Sequence, residues 1–120
     1  MAKEYSPKEL KKWLDDLSDE MTDDFNEAVK LYTAKIAQQA TEDAPYDTGL
    51  LAGSIKYKIN TNRTKFEGVV EVGAEYGIYV EFGSAKRNKP AQPFLYPAYN
   101  KYSDDFYRML MEIMETNLGG

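Results

Sequence analysis

Asp47-Thr48-Gly49 is the triplet in this sequence that most resembles catalytic machinery. Two aspartates of an Asp-Thr-Gly motif, one from each of two subunits, can share a proton and activate water, as in viral aspartic proteases whose chains are near this length. In those enzymes the triplet ends an apolar strand of an all-β fold. Here it follows Glu42-Asp43-Ala44-Pro45-Tyr46, just after a long helical pattern, and two long helices leave no room for an all-β chain. The simpler reading is structural: Asp47 is expected to cap a short turn of helix through Leu50 and Leu51, and Gly49 to let the backbone approach a sheet.

The rest of the catalytic repertoire is absent. The 120 residues contain no cysteine and no histidine. That excludes serine-histidine and cysteine-histidine pairs, imidazole or thiolate zinc sites and any disulfide framework. A small nuclease or toxin-like hydrolase would need a cationic groove and usually a histidine, which an acidic, histidine-free chain does not supply. No cofactor, no metal and no enzymatic activity are expected.

Charge offers better candidates. The net charge is −5, but residues 1–43 carry −5, residues 44–103 carry +3 and residues 104–120 carry −3. Lys86-Arg87-Asn88-Lys89 concentrates the local positive charge in one loop, which reads either as a solvated tip or as a contact to a partner or to DNA phosphate. Tyr79 and Glu81, just before it, are grouped with it as candidate interface residues. Asp15, Asp16, Asp19, Glu20, Asp23, Asp24 and Glu27 form an acidic band at helical spacing. Like charges four residues apart cost a few tenths of a kcal/mol each, so the band is a solvated face, a docking face for a basic partner or a wall that repels DNA. It is not a calcium loop, because no glycine supplies the turn. Glu67, Glu71, Glu75 and Glu81 read as an exposed face rather than an acid/base pair.

These residues need elements to position them. Ser6-Pro7-Lys8-Glu9 is a capping box, and Leu10, Trp13, Leu14, Leu17, Met21, Phe25, Ala28, Val29, Tyr32 and Ile36 follow with helical period. Unbroken to Ala40, such a helix is on the order of 50 Å long and must kink or overhang to meet a neighbour. Ile55, Tyr57 and Ile59 alternate with lysines, and Phe66, Val70 and Val72 alternate with Glu67, Val69 and Glu71, giving two half-buried strands joined by a turn at Asn60-Thr61-Asn62-Arg63. The run Tyr76-Gly-Ile-Tyr-Val-Glu-Phe82 also alternates, with Tyr76, Ile78, Val80 and Phe82 on the buried side, and predicts a third strand ended by Gly83 and Ser84. Pro90, Pro93 and Pro97 then hold the chain extended, and Pro97 opens a last helix to about Asn117 that buries Tyr99, Tyr102, Phe106, Met109, Leu110 and Ile113. Gly119 and Gly120 end it. The expected fold is α+β in one domain, residues 1–120: a long amino-terminal helix, an antiparallel sheet of three to four strands, and a carboxy-terminal helix packed on the sheet. Sixteen aromatics, ten of them tyrosine, suit interfaces as well as a core. No apolar run approaches the roughly 20 residues that span a bilayer, so the sequence reads as a soluble protein made in a cytoplasm and without a membrane partner.

Three motifs occur in order: Ala44-Pro45-Tyr46-Asp47-Thr48-Gly49-Leu50-Leu51-Ala52-Gly53-Ser54-Ile55; then Tyr76-Gly77-Ile78-Tyr79-Val80-Glu81-Phe82-Gly83-Ser84; then, after a variable loop, Pro90-Ala91-Gln92-Pro93-Phe94-Leu95-Tyr96-Pro97-Ala98. Together they resemble a family of tailed-bacteriophage morphogenesis proteins typified by gene product ten of the Hong Kong ninety-seven phage. The resemblance covers about half the chain, and the flanking helices match only in type and place. It implies a virion structural protein of the neck or tail end that joins head to tail. Copies would form a closed ring, expected as a hexamer, between the head connector or stopper and the tail terminator or tail tube, with an axial channel through which DNA passes transiently. It carries over no catalytic residue, and Pro45, Asp47, Thr48, Gly49, Ser54, Gly83, Pro90, Pro93, Phe94 and Pro97 read as fold positions. The alternative is an acidic regulator or DNA-mimicking inhibitor that works through the acidic helix.

Overall fold

Met21, Phe25, Ala28, Val29, Thr33, Ala37 and Ala40 are all buried, and their three- and four-residue spacing lays them along one stripe of helix α1 (Asp19–Asp43). The computed structural model describes residues 19–45, 49–62 and 65–118, together with Lys8. The capping box and Leu10, Trp13, Leu14 and Leu17 fall outside the described residues, Lys8 excepted. After α1 come a short helix α2 (Leu50–Gly53), strands β1 (Ile55–Asn62) and β2 (Lys65–Val72), a helix α3 (Gly77–Phe82) and a long helix α4 (Leu95–Leu118).

The strands pair antiparallel, with Ile55 opposite Val72 at one end and Asn62 opposite Lys65 at the other. Asn60, Thr61 and Asn62 are therefore paired residues of β1 rather than the turn, because the register leaves only residues 63 and 64, outside the described set, to connect the strands. Phe66, Gly68, Val70 and Val72 share one face of β2. Gly68 is where the sheet meets α1: a Cβ built on it would lie 1.7 Å from Thr33 Oγ1 and 2.8 Å from Thr33 Cβ. No rotation of the threonine relieves the second distance, so only glycine lets the helix sit this close. Lys58 and Glu71 pair at 3.0 Å on an exposed surface, where such a bridge contributes little.

The sheet is smaller than the sequence suggests. Among the described residues it has two strands, not three or four. The stretch from Tyr76 to Phe82 forms helix α3, closed by the Gly83 N–H donating to the Tyr79 carbonyl at 2.8 Å. A seven-residue alternating run fits a strand, but Gly77, Val80 and Glu81 are the buried positions, which is helical spacing. Ile78 and Phe82, expected inside, are exposed.

Helix α4 also differs from expectation. It runs antiparallel along α1 rather than lying mainly on the sheet. Leu110, Ile113 and Met114 pack on the Met21–Phe25 cluster, which Phe66 of β2 also joins. Tyr32 meets the rings of Tyr102 and Phe106, and Lys101 Nζ donates to Gln39 Oε1 at 2.9 Å. At the other end Ala40, Leu51, Val80, Phe94 and Ala98 form the second cluster. Two small cores at opposite ends of a helix pair give a subunit of 54 × 25 × 20 Å.

Candidate functional site

The basic loop is a tight hairpin. Ser84 and Lys89 exchange both backbone hydrogen bonds at 2.9 Å, and Asn88 turns the chain with a φ of 54°, a left-handed conformation that asparagine tolerates better than most residues. Lys86, Arg87, Asn88 and Lys89 are all exposed at its tip. The Arg87 guanidinium lies 4.8 Å from the centre of the Tyr79 ring, a cation–π contact that ties the hairpin to α3. Tyr79, Arg87, Lys89 and Pro90 line a shallow cleft of about 360 Å³. The fold thus brings four expected interface residues, Lys86, Arg87, Lys89 and Tyr79, to one end of the subunit.

Gly83 sets the direction of this hairpin. Its φ of 80° and ψ of 171° are open essentially to glycine alone, and a Cβ there would come within 2.9 Å of the Ala91 nitrogen.

Glu81 has a different place from the one expected. It is buried, and its carboxylate accepts three backbone hydrogen bonds: Phe94 N–H and Leu95 N–H at 3.0 and 2.9 Å on Oε1, and Tyr96 N–H at 3.0 Å on Oε2. A helix leaves its first four N–H groups without partners. In α4 those belong to Phe94, Leu95, Tyr96 and Pro97; Glu81 takes the first three and proline has none to satisfy. The negative charge also opposes the positive end of the helix dipole. Glu81 is thus a side-chain cap reaching across 13 to 15 residues and not a surface contact. Helix α4 opens at Leu95, two residues before the expected Pro97, because the cap lies there.

The other motif residues divide. Asp47 and Thr48 lie outside the described residues. Pro45 is half-buried and leads to Gly49, the N-cap of α2, whose φ of 72° calls for glycine. A Cβ on Gly49 would meet nothing within 4 Å, so its role is conformational and not, as expected, a close approach to the sheet. Ser54 Oγ donates to the Leu51 carbonyl at 2.7 Å and the Ser54 carbonyl accepts Gly73 N–H at 2.9 Å, which joins α2 to the sheet. Pro90 and Pro93 are exposed, whereas Phe94 is fully enclosed in the core.

A second surface was not foreseen from the sequence. Ile78, Phe82, Tyr96 and Tyr99 are 60%, 78%, 65% and 44% exposed and line one open groove of about 610 Å³ between α3, the end of β2 and the start of α4. The signal lay in the four-residue step from Ile78 to Phe82, which places both on one helical face. Tyr99 and Tyr107 hydroxyls are 3.5 Å apart, and this hydrogen bond raises the Tyr99 phenol above its ordinary pKa. On α1, Asp19, Glu20, Asp23 and Glu27 are exposed and Asp24 is half-buried. Among the described residues, no group of three or more acidic side chains is placed to hold a metal, and no helix is long and apolar enough to cross a membrane.

Comparison with curated proteins and with solved structures gave no match. A family model described as "Bacteriophage HK97-gp10, putative tail-component" matches residues 8–83, from the sequence before α1 through Gly83 at the base of the basic hairpin. The match covers more than half of the 120 residues and takes in the first sequence motif and the second through Gly83, so the chain belongs to the HK97-gp10-like family of phage tail components.

Proposed function

We propose that this tail component is a structural protein of the phage neck or tail end, whose copies close into a ring of six that joins the head connector or stopper to the tail terminator or tail tube and passes DNA through an axial channel. The observation that carries this reading is the basic hairpin, held rigid at one end of an elongated subunit by two backbone bonds and the Arg87–Tyr79 contact. A fixed cationic tip suits an acidic face on an adjoining ring. The exposed carboxylates Asp19, Glu20, Asp23 and Glu27 suit a channel wall past which DNA slides without sticking. The role is assembly in the virion, reached from the host cytoplasm, and needs no catalytic residue.

Replacing Lys86, Arg87 and Lys89 together by glutamate tests the assignment by complementation of a phage that lacks the gene. Head-tail joining is expected to fail, while circular dichroism is unchanged and the folding stability falls only by what an exposed cation–π contact contributes, about 0.5–1 kcal/mol. Normal yields of joined particles would show that the hairpin is a solvated tip.

A further inference from the structure

Among the described residues the sheet has two strands, so each strand presents a free edge. The Ser54 carbonyl accepts the Gly73 N–H one step beyond the Ile55–Val72 pair, and this fixes the phase of the ladder. Lys56, Lys58 and Asn60 bond to Glu71, Val69 and Glu67, while the residues between them turn their backbone groups away from the partner strand. On β1 these are Tyr57 and Ile59, and on β2 Gly68 and Val70. Their N–H and carbonyl groups meet no hydrogen-bond partner among the described residues. The β2 edge is open as well as unpaired: Gly68 has no side chain and its inward face abuts Thr33, yet it is exposed, so what it exposes is backbone.

Proteins that keep sheet edges apart use short edge strands, prolines, bulges or charges that point inward. Strand β1 has eight residues, contains no proline, pairs without a bulge, and turns Lys56 and Lys58 to the solvent face. On the same face β2 carries Lys65, Glu67 and Glu71. Like charges on neighbouring strands are unfavourable, and this decides which edges can meet. Two β1 edges together would gather four lysines and no carboxylate on that face, and two β2 edges four glutamates against two lysines. A β1 edge beside a β2 edge sets Lys56 and Lys58 next to Glu67 and Glu71, the pairing the chain already uses where Lys58 Nζ meets Glu71 at 3.0 Å. Such exposed bridges add little affinity; they select the partner, and the backbone bonds hold it.

We infer that the β1 edge of one copy pairs with the β2 edge of the next, so that the two-stranded sheets of neighbouring copies join into one. A rotation about an axis along the strands keeps their direction. Strand β1 of one copy then meets β2 of the next antiparallel, as within a copy, and every α1 stays on the same face of the joined sheet. Two different surfaces meet, which is the head-to-tail contact that closes into a ring when the rotation closes. The inference rests on the ring proposed above and specifies its joint.

Proline at Tyr57 or Val70 removes an outward N–H and no bond of the ladder, and proline is tolerated at such edge positions. In sedimentation at high salt, where net repulsion is screened, the wild-type chain should self-associate and the Tyr57→Pro and Val70→Pro variants should each be monomeric with helical circular dichroism retained. Each keeps one sound edge, so an equimolar mixture should give a heterodimer and nothing larger. A second measurement does not depend on how proline is tolerated. The chain has no cysteine, and Lys58→Cys alters only an exposed side chain and Glu67→Cys only a half-buried one on the same solvent face. Mixed and treated with a flexible bismaleimide, these two variants should give mainly the mixed dimer, and either alone much less. Three results would overturn the inference: a wild-type chain that stays monomeric up to its solubility limit at high salt; a Val70→Pro variant that associates as the wild type does, which would mean that β1 edges meet each other; or no excess of mixed dimer in the cross-linking. If the mixed dimer forms as expected but the Tyr57→Pro variant still complements the phage, the joint stands and the ring reading falls. If the mixed dimer is absent while the hairpin substitutions still block head-tail joining, the neck or tail-end reading stands and the joint falls.

Discussion

Glu81 is the residue that holds the first turn of α4. Its carboxylate is the sole acceptor shown for three N–H groups at the start of α4, one buried and two half-buried. Glu81→Ala leaves those donors without a partner, and since each buried unsatisfied donor costs about 1–3 kcal/mol, a loss of at least about 2 kcal/mol is expected in chemical denaturation. Glu81→Gln keeps one carbonyl oxygen for Phe94 and Leu95 but turns an NH2 toward the Tyr96 N–H, so its loss should lie between wild type and alanine. Equal stability of all three proteins would remove Glu81 from this role. Asp47 is tested by a different pair. A capping aspartate is replaced well by asparagine, so Asp47→Asn should preserve both the melt and infectivity, whereas Asp47→Ala should cost about 1 kcal/mol. Infectivity lost in the asparagine variant at unchanged stability would point to proton chemistry at that carboxylate.

At the scale of elements, the contact between α1 and the sheet depends on an absent side chain. Gly68→Ala pushes a methyl against the Thr33 Cβ, and overpacking of this kind costs about 1–3 kcal/mol. Thr33→Ala removes Oγ1 and Cγ2 but not Cβ, so the double variant should recover part of the loss, not all of it. A double-mutant cycle in urea reads the coupling directly, and strictly additive effects would mean that the helix does not meet the sheet at this point. Helix α3 shows the converse case, in which a short element has its type set by what its side chains reach. As a strand it would bury Ile78 and Phe82 and send Glu81 outward; as a helix it delivers Glu81 to the start of α4 and leaves the two apolar residues for the groove.

For the whole molecule, net charge and shape act against each other. Copies of net charge −5 repel at long range, while exposed apolar side chains such as Ile78 and Phe82 would favour contact. Added salt screens charges over about 10 Å at 0.1 M and about 3 Å at 1 M, and leaves apolar contact intact. Self-association measured by sedimentation should therefore strengthen with ionic strength. Tight assembly at low salt that falls apart at high salt would show that ion pairs, not apolar burial, hold the copies together.

The α+β class, the two long helices, the first two strands and the family motifs were legible in the sequence, because each rests on a period repeated over many residues or on residue types in a fixed order. Helical spacing from Met21 to Ala40 and the alternation of Phe66, Val70 and Val72 needed no knowledge of their partners. The basic loop and its grouping with Tyr79 were legible too, since both follow from adjacency in the chain. What tertiary structure decided was everything that depends on a distant partner. Seven residues from Tyr76 fit a strand or a helix equally well, and the start of α4, many residues later, made the helix the better solution by offering three N–H groups to Glu81. With that stretch helical, the sheet keeps two strands among the described residues, while contacts from Leu110, Ile113 and Phe106 seat α4 on α1. The groove of Ile78, Phe82, Tyr96 and Tyr99 exists only because α3 is a helix beside the start of α4, a juxtaposition across 14 or more residues that no local pattern encodes.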